Sequence, residues 1–237
     1  MKNLGDVWAS GTGIFETIRV EENQVFALHR HHCRAREAAE KLGFQIPDEA
    51  MVKDLSYQVI SEHDYRVGRM RWHFDRTGEF SISYVPFTDP QAGAILGIIS
   101  ERTSNYEIRN KEYPYQNLKT LSESQAQGFD DGIILTADGQ LTETTVASLL
   151  LKIGSTWVTP PLSSGILNGV VRALVLESGL ATVRRIDESE LPTIESGLLL
   201  TSLRNAQPIA QIAGRNLVID HEKCAEIHKL MSQFKGH

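Results

Sequence analysis

The chain has 237 residues, 41% hydrophobic and 23% charged, which is apolar enough for one or two domains with a real core and argues against disorder. A net charge of −6 and a pI near 5.8 give no basic face of the kind that nucleic acid or an anionic membrane requires. Its two cysteines, Cys33 and Cys224, lie far apart without metal-ligand spacing; no disulfide framework implies secretion, so a reducing cytoplasm is the expected location.

Met1 to Ser10 lacks an apolar signal core, and no stretch approaches the roughly 18 apolar residues of a membrane span. Ile14 to Val20 and Gln24 to Leu28 read as two strands around the polar turn Glu21-Glu22-Asn23, a hairpin. The pattern turns helical from His31 to Leu42 and stops at Gly43; Asp48 then caps a second helix reaching Ser61. Val67 to Asp75, Glu79 to Val85 and Ala94 to Ser100 read as strands. Glu101 to Asn117 is polar and weakly periodic. We therefore expect an α+β domain over 1–105, a connection over 106–117 and an α/β domain over 118–237.

In the second half, strands are expected at Gly132 to Leu135, Val146 to Lys152, Trp157 to Thr159, Gly197 to Thr201 and Ile209 to Ile212. Helices are expected from Asn168 to Ser178, with Asn168 as N-cap and Gly179 as stop, and from His221 to Phe234. The glycine-rich turn Gly165 to Gly169 opens the first of these helices. Unpartnered N–H groups and the helix dipole at such a start suit a phosphate dianion. The cluster His29, His31 and His32 brings no carboxylate or cysteine at ligand spacing and reads as a polar helix start, so no metal is expected.

Five stretches in order carry a resemblance. They are Gly11-Thr-Gly-Ile-Phe-Glu-Thr-Ile-Arg19 with His31-His-Cys-Arg34; Leu118-Lys119-Thr120; Glu143-Thr-Thr145; Thr159-Pro-Pro161 with Gly165 to Arg172; and Leu200-Thr-Ser-Leu-Arg-Asn-Ala-Gln-Pro-Ile209. Together they resemble the class IV aminotransferase family, the fold-type IV pyridoxal-phosphate enzymes. The resemblance implies a two-domain α/β (α+β) fold like that of D-amino acid aminotransferases, with pyridoxal 5'-phosphate in the cleft and a homodimeric assembly. It assigns the cofactor-bearing, catalytic amine to Lys119 and the acid beside the pyridine nitrogen to Glu143. Arg34, Gly169, Val170, Val171, Thr201 and Ser202 would hold the cofactor, chiefly through its phosphate.

The chemistry is consistent with these residue types. A lysine amine can carry the cofactor and, once displaced by a substrate amine, take the proton from the neighbouring carbon; an acid at the ring nitrogen keeps the ring electron-poor. The interval from Lys119 to Glu143 is 143 − 119 = 24 residues, shorter than the family's usual spacing. That spacing predicts a trimmed helix over Leu121 to Gly128, and it leaves Lys111, at 143 − 111 = 32 residues, as a rival. The family's asparagine after the acid is Ser148 here, and its aromatic neighbour is Leu150.

Within the family, Phe15-Glu-Thr and Ser202 to Ile209 resemble the aminodeoxychorismate lyase branch, which forms 4-aminobenzoate and pyruvate in folate biosynthesis. The other readings are an amino-acid transaminase, branched-chain or D-specific, and a degenerate member that only binds. In each reading the partner is a small-molecule amine, not a nucleic acid or a membrane. Arg69 and Arg71 share one strand face by the period of two. With Arg204 they are the expected contacts for substrate carboxylates, the competing reading being a solvated cross-strand ladder.

Overall fold

The computed structural model describes residues 13–99 and 114–236. The chain divides into two compact units, one comprising 1–89, 110–114 and 231–237, the other 90–109 and 115–230.

In the first unit a four-stranded antiparallel sheet runs β2-β1-β3-β4, from β1 (Gly13–Glu21), β2 (Gln24–Val25), β3 (Val67–Asp75) and β4 (Phe80–Pro86). The β1–β2 turn places Glu22 and Asn23 at φ 52° and 61°, the left-handed pair of a type I′ hairpin. Helices α1 (Leu28–Lys41) and α2 (Glu49–Ser61) follow β2, and the Asp48 side chain accepts the Met51 N–H as expected of a cap. Ile14, Ile18, Met70, Trp72 and Phe74 form one buried cluster with α1 residues Leu28, Ala35 and Ala39 and with Val52 and Ile60 of α2. The Trp72 indole N–H is satisfied by Ser56 Oγ at 2.9 Å. The opposite sheet face carries Phe15, Thr17, Arg19, Arg69, Arg71 and His73, because paired strands share face parity. The last residues return here: Phe26 bridges Lys235, and the Ala27 N–H donates to Phe234 O.

The second unit is built on β5 (Ala94–Ile98), β6 (Asp131–Leu135), β7 (Leu141–Thr144), β8 (Ser148–Ile153), β9 (Thr156–Thr159), β10 (Thr182–Val183), β11 (Ile194–Thr201), β12 (Asn205–Ile212) and β13 (Arg215–Asn216). The order β8-β11-β12-β5-β6-β7 returns through a β7–β8 pairing, which closes these strands into a ring without exposed edges. Its interior is filled by Leu96, Ile133, Leu135, Leu141, Leu149, Leu151, Leu199 and Ile209. Helices α3 (Pro114–Ala126), α4 (Val170–Glu177) and α5 (His221–Ser232) complete the chain.

Two expectations are corrected. Ala94–Ile98 does not belong with the N-terminal strands: β5 pairs in parallel with β6 and β12 inside the ring, so the first unit's leading segment ends at Asp89 and not at residue 105. Nor is the helix before β6 trimmed to begin at Leu121. It starts at Pro114, a residue whose missing N–H is harmless at a first helical position, and runs through Lys119.

Candidate functional site

A bulge presents Glu143. Leu135 pairs with Leu141 and Ile133 with Thr144, so β7 spends one residue more than β6 over the same span. Leu141 is in the ring interior and Thr144 stands opposite the interior Ile133. The extra residue turns Glu143 to the outside, where it stands opposite Ser148, and Ser148 in turn stands opposite Leu200. The β7–β8 turn is tight: the Thr144 N–H donates to Ala147 O, and the Ala147 N–H to Thr144 Oγ1.

Helix α4 packs against β11 on this outer face, directing Val170, Val171, Leu174 and Val175 into buried positions. Its N-cap is Gly169, not the expected Asn168, and no side chain caps it. The first N–H groups of α4 therefore have no intrahelical acceptor and no side-chain cap. A Cβ on Gly169 would stand 3.0 Å from Ser148 Oγ, so backbone comes close to the sheet where a larger residue would fill the space. The loop before α4 also meets the acid: the Leu167 N–H donates to Glu143 Oε2 at 3.2 Å, and Glu143 is only 5% exposed.

Arg172 locks this arrangement from behind, donating from Nε to Thr159 Oγ1 and from Nη2 to Pro160 O. Burial lowers its pKa, while the charge of Glu143 acts the other way. Residue spacing alone gives Arg172 no role; its bonds to Thr159 and Pro160 follow only from the folded arrangement. Thr201 ends β11, two positions after Leu199, and its Oγ1 accepts the Arg204 N–H, while Arg204 Nη1 donates to Gln207 Oε1. Ser202 follows in the same turn, half-buried. A buried carboxylate, an uncapped helix start and a glycine cradle therefore lie together in the second unit, and their donor set fits a pyridine nitrogen and a phosphate.

Lys119 is placed differently. Its side chain is 58% exposed on α3 and faces Glu123 at 3.8 Å, an i,i+4 surface pair. That is a solvated position, whereas a cofactor-bearing amine needs a desolvated one. Lys111 lies outside the described residues.

In the first unit, Arg34 grips Glu16 with Nε at 3.1 Å and Nη2 at 2.6 Å, and His31 Nδ1 lies 2.7 Å from the same carboxylate. Glu16 is wholly buried. The motif Phe15-Glu-Thr contained this acid, and its pairing with Arg34 became visible only when β1 met α1. Arg69 and Arg71 do share a face. Arg69 is exposed, while Arg71 is half-buried beside Thr17, with its guanidinium 5.2 Å from the Phe15 ring centre. Burial, then the like charge of Arg69, lowers the Arg71 pKa to about 10. His29 pairs with Glu49 and His32 with Pro47 O; among the described residues no group of three or more ligating side chains could hold a metal. Also among these residues, no helix is long and apolar enough to cross a membrane.

Residues 13–212 match the family described as amino-transferase class IV. The chain is 23% identical over 231 residues to the Schizosaccharomyces pombe protein named "Putative aminodeoxychorismate lyase", covering 92% of this chain and 95% of that one. Among solved structures, the fold IV-transaminase CpuTA1 from Curtobacterium pusillum aligns with a TM-score of 0.83 at 22% identity, over 94% of this chain and 87% of that one. A hypothetical aminotransferase from Mycobacterium tuberculosis in its PLP-bound form aligns with a TM-score of 0.80 at 17% identity, over 94% and 88%.

Proposed function

The chain belongs to the class IV aminotransferase family and is a pyridoxal-phosphate-dependent enzyme of fold-type IV; from that premise we propose that it is an aminodeoxychorismate lyase, releasing 4-aminobenzoate and pyruvate from 4-amino-4-deoxychorismate. The observation that carries this reading is that half-buried Arg71 shares a sheet face with Arg69; burial first, and then that like charge, lowers the Arg71 pKa to about 10. Two arginines on one face suit a substrate with two carboxylates better than an aliphatic amino acid. The near full-length similarity to the fission-yeast protein supports the same choice.

When bound, pyridoxal phosphate supplies a sink for the electron pair left by proton removal beside the substrate amine. The chain's residues do the rest. Glu143 keeps the proton on the ring nitrogen, since a buried carboxylate is best compensated by a cation. The α4 start at Gly169, Val170 and Val171, with Thr201, Ser202 and Arg34, receives the phosphate. We assign the acid–base amine to Lys111 rather than Lys119. The untrimmed α3 removes the reason for a 24-residue interval, and Lys119 Nζ is engaged at the surface. Lys111 Nζ would take the proton from the amine-bearing carbon; the C–O bond of the enolpyruvyl ether on the neighbouring ring carbon would then break, and the expelled enolpyruvate would take up a proton at its methylene carbon to become pyruvate. Arg69, Arg71 and Arg204 hold the carboxylates. A homodimer in the cytoplasm, serving folate biosynthesis, is part of the same proposal.

The second reading is transamination of branched-chain or D-amino acids, favoured by relatives at 22–26% identity named as aminotransferases. The third, a degenerate binding protein, loses the trimmed helix as its support. One comparison separates them: 4-aminobenzoate release from aminodeoxychorismate against glutamate formation from amino acids and 2-oxoglutarate. Release of 4-aminobenzoate alone is the expected result; glutamate alone selects the transaminase, and neither product selects the binding protein.

A further inference from the structure

Asp131 opens β6 and is 3% exposed, yet neither the phosphate cradle nor the substrate arginines involve it. Three donors converge on one of its oxygens. Oδ1 accepts the Gly132 N–H at 2.7 Å, the Thr145 N–H at 3.1 Å and the Thr145 hydroxyl at 2.6 Å. Oδ2 is buried with no hydrogen-bond partner. Burying a carboxylate with one oxygen unsatisfied costs stability, and a group kept at such a cost calls for an explanation.

The explanation lies in what Thr145 belongs to. It is the second residue of the Thr144–Ala147 turn, two positions after Glu143, and the first pair flanking that turn is Glu143 with Ser148. The bulge in β7 leaves Thr142 and Glu143 between the registered pairs Leu141–Leu135 and Thr144–Ile133. The charge-assisted bond from Asp131, at the start of β6, ties Thr145 back to β6 on the turn side of that bulge. The neighbouring Gly132 is packed tightly, a Cβ there meeting Ile99 Cγ1 at 2.6 Å and Ser124 Oγ at 2.9 Å, so the anchor sits on a rigid base.

We propose that Asp131, acting through Thr145, is a positioning residue for Glu143: it fixes the angle at which the bulged strand presents that carboxylate and thereby sets the affinity for a protonated aromatic nitrogen base. This rests on the reading of Glu143 as the acid at the cofactor ring nitrogen.

The test uses the full-length protein and pyridoxal phosphate, with dissociation constants read from quenching of tryptophan emission and thermal unfolding of each ligand-free variant alongside. Thr145→Val removes the hydroxyl at nearly constant volume, Thr145→Ser keeps it, and Glu143→Gln removes the acid. Thr145→Val is expected to weaken binding about tenfold, the equivalent of one charge-assisted hydrogen bond, while Thr145→Ser stays within about twofold of wild type. In the Glu143→Gln background, already weakened, Thr145→Val should add less than about twofold, because the two act as one unit. An equal tenfold loss in both backgrounds means that the turn matters only for general packing, and overturns the positioning role. Unchanged binding by Thr145→Val beside a weakened Glu143→Gln overturns it too and leaves the reading of Glu143 intact. Wild-type affinity in Glu143→Gln overturns that reading, and this inference with it.

Discussion

The Ser148 hydroxyl and the Gly169 backbone are so close that a methyl group on Gly169 would stand 3.0 Å from Ser148 Oγ. Ser148 takes the place of a larger family asparagine, opposite Glu143 on the outer face of the ring, and Gly169 starts the helix whose N–H groups are the proposed phosphate donors. Gly169→Ala should therefore push α4 away from the sheet and weaken pyridoxal-phosphate binding by about tenfold, with less than about 1 kcal/mol lost in ligand-free stability. Adding Ser148→Ala should recover most of the affinity. Fluorescence titration of the single and double variants checks this; equal affinity in Gly169→Ala and wild type would count against the cradle.

Glu16 is the buried hub for Arg34 and His31. Truncating it removes both hydrogen bonds that the partly buried Arg34 guanidinium makes to this carboxylate. Glu16→Ala is expected to cost about 3–5 kcal/mol in urea denaturation, the usual penalty for breaking a buried pair from one side. Arg34→Met/Glu16→Met, which removes both charges, should cost clearly less than Glu16→Ala. Equal losses would mean that the pair is not coupled.

Arg71 illustrates a conflict between stability and function. Its pKa falls to about 10, first through burial and then through Arg69, so the charged form is disfavoured in the folded state. The resulting cost is present below the folded pKa and fades only as pH rises through it. Arg71→Met should leave the ligand-free melting temperature unchanged or raise it, and should raise KM for a dianionic substrate by about tenfold or more with a smaller change in kcat. A lowered melting temperature with an unchanged KM would place Arg71 in the structural ladder instead.

Much of the fold is legible in the chain because local signals and tertiary packing agree. Strand β3 spans Val67–Asp75 as its alternation predicts, and Asp48 caps α2. What could not be read depended on distant partners. In Leu141-Thr-Glu-Thr144 simple alternation puts Glu143 on the same side as Leu141; only pairing with both β6 and β8 reveals the bulge that turns it outward. Helix α3 extends back to Pro114 through a stretch too polar for periodicity to mark. Similarly, the return of residues 231–237 to the first unit depends on backbone bonds to Val25 and Ala27, which leave no trace in composition. Of the proposed site, the acid and the helix start stand out in the chain as motifs, while Lys119 rests on a two-residue likeness, Lys119-Thr120, and its side chain lies on an exposed face of α3.

Acid should loosen the first unit before neutral pH does. Burial pushes the Glu21 carboxyl up, but the hydrogen bond and charge of Arg19, aided by Lys235, outweigh it and hold its pKa below the ordinary value. Burial also lowers the His73 pKa, against the pull of Asp75. Both folded-state values are depressed, so both contributions are complete above the unfolded pKa values and are lost as pH falls through the folded ones. Stability measured by urea midpoint should decline from pH 7 downward, first through the histidine range and then through the carboxylate range. Glu21→Gln should flatten the second decline; an unchanged slope would remove Glu21 from the account.

The central claim, that the Glu143 end of the ring serves a cofactor carried by Lys111, is tested most directly by trapping. Wild type, Lys111→Ala and Lys119→Ala are incubated with pyridoxal phosphate, reduced with borohydride and mapped by peptide mass spectrometry. The account predicts a cofactor mass increment on Lys111 in wild type and in Lys119→Ala, and none in Lys111→Ala. An increment on Lys119, or on no lysine at all, would contradict it.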